Sequence, residues 1–258
     1  MGIKDKKDIF DSPYLNDEFI KSEELLGQLL RNSPIPNNEL AENTNLYLSP
    51  RTLKRQLFFN FLYQLSLEIN GNIALFGVRW GREISLMESL RTIYEPFNSS
   101  RKIIAFDTFE GFPSVDQKDQ KFNENLLKEG HLSTTKNYIE HLKKVLIERQ
   151  KLDPLPNIER TFIVKGDATE GLKNYLEDHP ESIFSFIYFD FDLYKPTIEC
   201  LKQLIPFLTK GSVIGFDQLN SFVCPGETIA LRELLGTNKV KVQRSKQFSG
   251  HGSFFIWE

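Results

Sequence analysis

Several residues able to do chemistry stand where an apolar run gives way to a turn. Asp190 and Asp192 close the run in FIYFDFDLYKPT, Phe186 to Thr197; Asp107 closes IIAF, and Asp217 closes SVIGF. Each run reads as a buried parallel strand, and ligands of open α/β sheets gather beyond the carboxyl ends of such strands. A carboxylate at such a place is costly to desolvate unless it gains a partner. Asp190 and Asp217 end consecutive strands, and neighbouring strands lie about 4.8 Å apart, so the two could share one hard cation with Gln218 or Asn220 as neutral oxygen ligands. Without a cation they would repel and one would hold its proton. Asp192 has a second reading, as cap or loop support for the helix that follows.

A second group points to a nucleoside. In GVRWG, Gly77 and Gly81 lie between the strand Ile73 to Phe76 and a helix that starts near Arg82. Such glycines let a ligand approach the backbone, and free amides at a helix start favour anionic or polar groups. The pattern is not GxGxxG, and plain turns account for most glycine pairs of this kind. Asp107 follows Gly77 by about 30 residues, the length of a helical crossover plus a strand, where an acid accepts from the ribose hydroxyls of an adenosine ligand. Asp167 follows a third strand, Asn157 to Val164, and reads as either a contact on the adenine side or a helix cap. His131 sits in a polar loop over residues 114 to 135, where a solvated histidine competes with a base. His251, in the turn SKQFSGHG, either reaches the substrate or belongs to a plain hairpin.

The elements that must hold these residues are legible from periodicity. Residues 1 to 50 are polar and broken by Pro13, Pro34, Pro36 and Pro50, with one amphipathic helix from about Glu18 to Arg31, and form an arm or lid. Residues 51 to 258 form the second domain. It opens on an amphipathic helix capped by Ser49, with Pro50 in its first turn and Leu53, Leu57, Phe58, Phe61 and Leu62 on its apolar face. Helices are expected over Thr135 to Arg149, Pro196 to Leu208 (stopped by Lys210-Gly211) and Glu227 to Leu235, and closing strands over Val240 to Arg244 and Ser253 to Trp257.

Composition narrows the function classes. The net charge of -3 in 258 residues supplies no global basic field for nucleic acid or anionic membrane. Two cysteines, Cys200 and Cys224, without CxxC spacing argue against a disulfide framework and a zinc site, so a reducing cytoplasm is the expected setting. The start MGIKDKKDIFDS has no apolar core of a signal peptide, and no stretch is long and apolar enough to span a membrane. Apolar surface candidates permit a homodimer.

At GVRWG, FDTFEGFP, FDFDLYKPT and GFDQLN, in order between about Leu53 and Trp257, the chain resembles the macrocin O-methyltransferase family, class I S-adenosylmethionine-dependent enzymes that methylate sugar hydroxyls. The resemblance implies a Rossmann-like seven-stranded, mostly parallel α/β sheet with an antiparallel last strand. It also implies a small-molecule hydroxyl acceptor, S-adenosyl-L-methionine as cofactor and a divalent cation, usually Mg2+. On this basis the Gly77 and Gly81 loop holds the methionine part of the cofactor, Asp107 the ribose and Asp167 the adenine side. Asp190 and Asp217 match metal-binding aspartates, with Asp190 also the base and His251 a second group able to take the proton. Two positions depart from the family: Leu75 stands where a glutamate is usual, and Gln218 where a second aspartate is usual. The rival readings are a binding protein that kept the fold and lost activity, and an NAD-linked oxidoreductase, which would want the missing GxGxxG.

Overall fold

A computed structural model of the protein describes residues 17–120, 127–246 and 252–258. The chain divides into two compact units, one through Leu57 and one from Phe58. The first holds helices α1 (Asp17–Arg31) and α2 (Asn37–Leu40), a 3-10 turn at Thr44–Tyr47 and the opening turns of α3 (Pro50–Leu65). Ser49 caps α3 as expected: its hydroxyl accepts from the Thr52 amide at 3.3 Å and donates to Glu23 at 2.9 Å. Helix α3 runs through that division.

The second unit is built on one sheet of six strands: β1 (Asn72–Phe76), β2 (Ile103–Asp107), β3 (Thr161–Lys165), β4 (Phe184–Phe189), β5 (Leu208–Phe216) and β6 (Ser253–Ile256). Their order is β3-β2-β1-β4-β5-β6, parallel throughout except for β6, which runs antiparallel to β5. Between them run α4 (Arg82–Tyr94), α5 (Gln117–Gln120), α6 (Tyr138–Gln150), α7 (Ala168–Asp178), α8 (Tyr194–Leu204) and α9 (Gly226–Leu234). This is the Rossmann-like α/β architecture the sequence implied, with its chain reversal between β1 and β4.

Six strands, not seven, are found among the described residues. The expected strand Val240 to Arg244 is reduced to a single bridge between Gln243 and Phe254. The Val242 amide donates to the Val240 carbonyl at 3.2 Å, a tight turn that takes the segment out of extended pairing. At the other boundary, Lys210-Gly211 does not end a helix but lies inside β5, which starts at Leu208; Gly211 adopts φ 93° and a Cβ there would lie 2.4 Å from Ile69.

Alternation along the strands sends Ile73, Leu75, Ile103, Phe186, Tyr188 and Val213 to one face, under α3, α4 and α6. Ala74, Phe76, Ile104, Phe106, Ile187, Phe189, Ile214 and Phe216 go to the other, under α7, α8 and α9. On that second face a row of phenylalanine rings crosses the sheet. Phe76 stacks on Phe106 at 4.8 Å and on Phe189 at 4.9 Å, Phe189 on Phe216 at 5.2 Å, and Phe216 on Phe255 at 6.2 Å. Each such pair contributes about 0.5–1.5 kcal/mol beyond the area it buries. The next residue after four of these rings is Asp107, Gly77, Asp190 or Asp217. The stacked row therefore aligns the ends of four strands at one level.

Candidate active site

Backbone hydrogen bonds carry that alignment one residue past the strands. The Gly166 amide donates to the Asp107 carbonyl at 3.0 Å, Gly77 to Phe106 at 3.0 Å, Asp190 to Phe76 at 2.9 Å, and Asp217 to Phe189 at 3.0 Å. Asp107, Gly77, Asp190 and Asp217 consequently stand side by side along the carboxyl edge, where the sequence placed them. At this edge the chain order reverses, the place where open α/β sheets bind ligands.

Between β1 and α4 the loop is shaped by left-handed residues: Gly77 at φ 78°, Arg79 at 43° and Gly81 at 72°. A Cβ on Gly77 would lie 2.1 Å from the Asp190 carbonyl oxygen, and one on Gly81 2.5 Å from Leu142. Gly77 is thus demanded by the neighbouring backbone and Gly81 by its left-handed turn, quite apart from any ligand. Gly81 also leaves the start of α4 without a side-chain cap. Tyr138 donates its hydroxyl to the Trp80 carbonyl at 2.8 Å and meets the indole edge-on at 4.6 Å, tying this loop to α6.

Asp107 is half-buried and held by backbone. One carboxylate oxygen accepts from the Arg79 amide at 2.7 Å, the other from the Phe109 amide at 2.6 Å. Burial raises its pKa, while the amides of Arg79, Phe109 and Val78 pull it back toward the ionised form. Each oxygen keeps a further lone pair, so the group can accept a hydroxyl while its direction stays fixed.

The edge beyond β4 and β5 is more acidic. Asp217 is 7% exposed and accepts from the Tyr188 hydroxyl at 2.9 Å and from the Gln218 side-chain amide at 3.2 Å. Behind it lies a residue that the sequence reading missed. Glu227, at the start of α9, is fully buried; one oxygen accepts from the amides of Phe191 and Asp192 at 3.1 and 3.4 Å, the other from the Gln218 amide at 2.9 Å. It therefore clamps the turns that follow β4 and β5. Burial, and then the carboxylates of Asp192, Asp190 and Asp217, drive its pKa well above the ordinary range. A glutamate in the first turn of a helix looks like a favourable dipole partner on the surface. Nothing local in the sequence marks it as buried.

Of the residues expected to hold a cation, Asp190 and Asp217 follow the adjacent strands β4 and β5 at the carboxyl edge, and Gln218 follows Asp217. Among the described residues no group of three His, Cys, Asp or Glu side chains is disposed to hold a metal ion. Gln218 turns its amide nitrogen toward Asp217 and brings one negative charge fewer than the usual aspartate, which weakens the hold on a hard cation. The direct check is a magnesium titration. Turnover of the parent should change less than about twofold between chelator and millimolar Mg2+, whereas Gln218→Asp, by adding a carboxylate, should acquire a Mg2+-dependent rise in thermal midpoint. A tenfold loss of parent activity in chelator would restore the metal.

The other expected residues are dispersed. Asp167 is exposed and caps α7, accepting from the amides of Thr169 at 2.8 Å and Glu170 at 3.3 Å. It also lines a cavity of about 350 Å3 beside Gly166, Gly171 and Tyr175. Asp192 is not the cap of α8, whose N-cap is Leu193; it is buried in a left-handed turn at φ 61°. His131, read as solvated, is 7% exposed, with its ring against Phe112 at 6.0 Å. His251 lies outside the described residues. Cys200 and Cys224 are buried free thiols, and no helix among the described residues is long and apolar enough to cross a membrane.

Known proteins with this arrangement decide the family. The calicheamicin methyltransferase CalS11 superposes with a TM-score of 0.90 at 35% sequence identity, covering 95% of this chain and 94% of its own. The chain belongs to the macrocin O-methyltransferase family. It is accordingly a class I S-adenosylmethionine-dependent O-methyltransferase, and the NAD-linked reading loses its basis. A second structure of CalS11, described as a TDP-rhamnose 3'-O-methyltransferase, matches at 33% identity and a TM-score of 0.80, over 95% of this chain and 96% of that one. The O-methyltransferase NovP shares the fold at 19% identity and a TM-score of 0.60, with 79% of each chain covered. No protein-family model matches the sequence, and no curated protein does.

Proposed function

We propose that this O-methyltransferase acts on a hydroxyl of a sugar carried by a nucleotide or a small-molecule glycoside. The observation that supports this reading is the 35% identity to CalS11 over almost the full length of both chains. When bound, the cofactor supplies a sulfonium methyl that the acceptor oxygen takes in line, the carbon–sulfur bond breaking to a neutral thioether. Asp190 takes the hydroxyl proton as the oxygen–carbon bond forms. Asp107 accepts from the ribose hydroxyls, the loop from Gly77 to Gly81 brings backbone amides to the methionine end, and Asp167 stands on the adenine side. These roles are consistent with a carboxylate already oriented by two amides and with an uncapped α4 start beside the glycine loop.

The test is transfer of label from methyl-labelled cofactor to TDP-rhamnose and a panel of other nucleotide sugars and glycosides. Label in a sugar hydroxyl supports the proposal. Transfer only to aglycone hydroxyls, or to no acceptor, overturns it. By calorimetry, Asp107→Ala should weaken S-adenosylhomocysteine binding by at least about tenfold, since a charge-assisted hydrogen bond contributes roughly 1.5–3 kcal/mol. Unchanged affinity would remove Asp107 from the cofactor site.

A further inference from the structure

Asp119 is one of the most deeply buried charged residues in the described chain, and none of the roles above uses it. It lies on α5, in the segment that follows β2, at 0% exposure. Its two oxygens each sit 3.1 Å from the Tyr194 amide, the first of α8. Leu193, the N-cap of that helix, makes no side-chain cap, so the acid that satisfies the helix start comes from 75 residues away. Glycine at 226 makes this approach feasible: a Cβ there would lie 2.3 Å from the Tyr194 nitrogen and 2.4 Å from an Asp119 oxygen. On the outer side, the Lys118 ammonium pairs with Glu233 at 2.6 Å and lies 3.9 Å from the Tyr194 ring, while the Tyr194 hydroxyl donates to Glu233 at 2.8 Å.

We infer that Asp119 is a positioning residue for methyl transfer: it holds the turn from Asp190 to Leu193 by capping α8 from the segment after β2. That turn carries the proposed base, and the inference rests on the acceptor reading above. Glu227 grips the same turn at the Phe191 and Asp192 amides, so the stretch between β4 and α8 hangs from two buried carboxylates on separate elements. Asp107 is fixed by its own turn and by Arg79, bonds in which Asp119 takes no part. Cofactor affinity and acceptor chemistry are therefore separable here.

The experiment compares the parent with Asp119→Asn, Gly226→Ala and the control Lys118→Ala by three readouts: S-adenosylhomocysteine affinity, kcat against KM with the accepted sugar, and amide hydrogen exchange over residues 190–194. Asp119→Asn should keep cofactor affinity within about twofold, lose about tenfold or more in kcat, and speed exchange in that peptide, a buried charged acceptor contributing roughly 1.5–3 kcal/mol. Gly226→Ala should do the same, and the double variant should lose no more than either single one. Lys118→Ala, which removes an exposed pair, should stay within about twofold. Full kcat with unchanged exchange in Asp119→Asn overturns the inference, as does a fall in cofactor affinity equal to that in kcat. If the parent methylates no sugar, the acceptor reading fails, and exchange over 190–194 alone decides whether Asp119 holds the turn.

Discussion

Asp190→Asn is expected to lower turnover by about 10²–10⁴, the usual contribution of a positioned general base, which corresponds to roughly 3–5.5 kcal/mol in the barrier. The substitution keeps the shape of the side chain and removes its ability to take a proton at ordinary pH. The backbone frame should survive, because the Asp190 amide donates a hydrogen bond to the Phe76 carbonyl and its own carbonyl packs against Gly77, neither of which involves the carboxylate. Cofactor affinity should accordingly stay within about twofold, since the groups proposed to bind it lie on β1, β2, β3 and the loops after them. Single-turnover rates with labelled cofactor measure the first quantity and calorimetry the second. A rate within about threefold of the parent would mean that another group, or solvent, takes the proton.

The second large effect is on stability. Phe189 is fully buried between Phe76 and Phe216, in the middle of the row of rings. Phe189→Ala should cost about 3–5 kcal/mol, the range for deleting a core aromatic, against a typical total of about 5–15 kcal/mol for a domain. Urea denaturation reads this as a lower midpoint at constant slope. Because the ring sets the level at which Asp190 leaves the sheet, the variant should also lose turnover at temperatures where it remains folded. Phe189→Leu, which keeps most of the volume, should cost less than half as much. Equal costs for the two variants would show that restoring volume without the ring recovers nothing, so that filling space is not what Phe189 contributes.

Much of the edge was readable because two periodicities coincide. Parallel strands covered on both faces are apolar without interruption, so the first acid after such a run marks the carboxyl end of the sheet, and Asp107, Asp190 and Asp217 were found that way. The same rule overextended the sheet at Val240 to Arg244, where apolar and basic residues alternate but a tight turn intervenes. Local patterns also misjudged burial: His131 lies in a polar stretch yet is enclosed, and Asp192 stands before a helix it does not cap. Capping from a distance leaves no trace in spacing, which is why Asp119 passed as part of a polar loop.

Sequence alone determined the α/β class, the strands that carry the site, the order in which its residues appear and, through four short motifs, the family. The class, the strands and the order follow from nearest-neighbour chemistry, that is strand and helix periods, turn residues and acids at strand ends, whereas the family rests on resemblance at those motifs. Tertiary structure decided how the acids are used. Glu227 and Asp119 became buried clamps, Gln218 turned a donor toward Asp217, and Gly77 proved to be required by the Asp190 backbone. Each of these depends on partners between 1 (Gln218 and Asp217) and 113 (Gly77 and Asp190) residues away, brought together at the sheet edge, and on desolvation, which no composition or spacing reports.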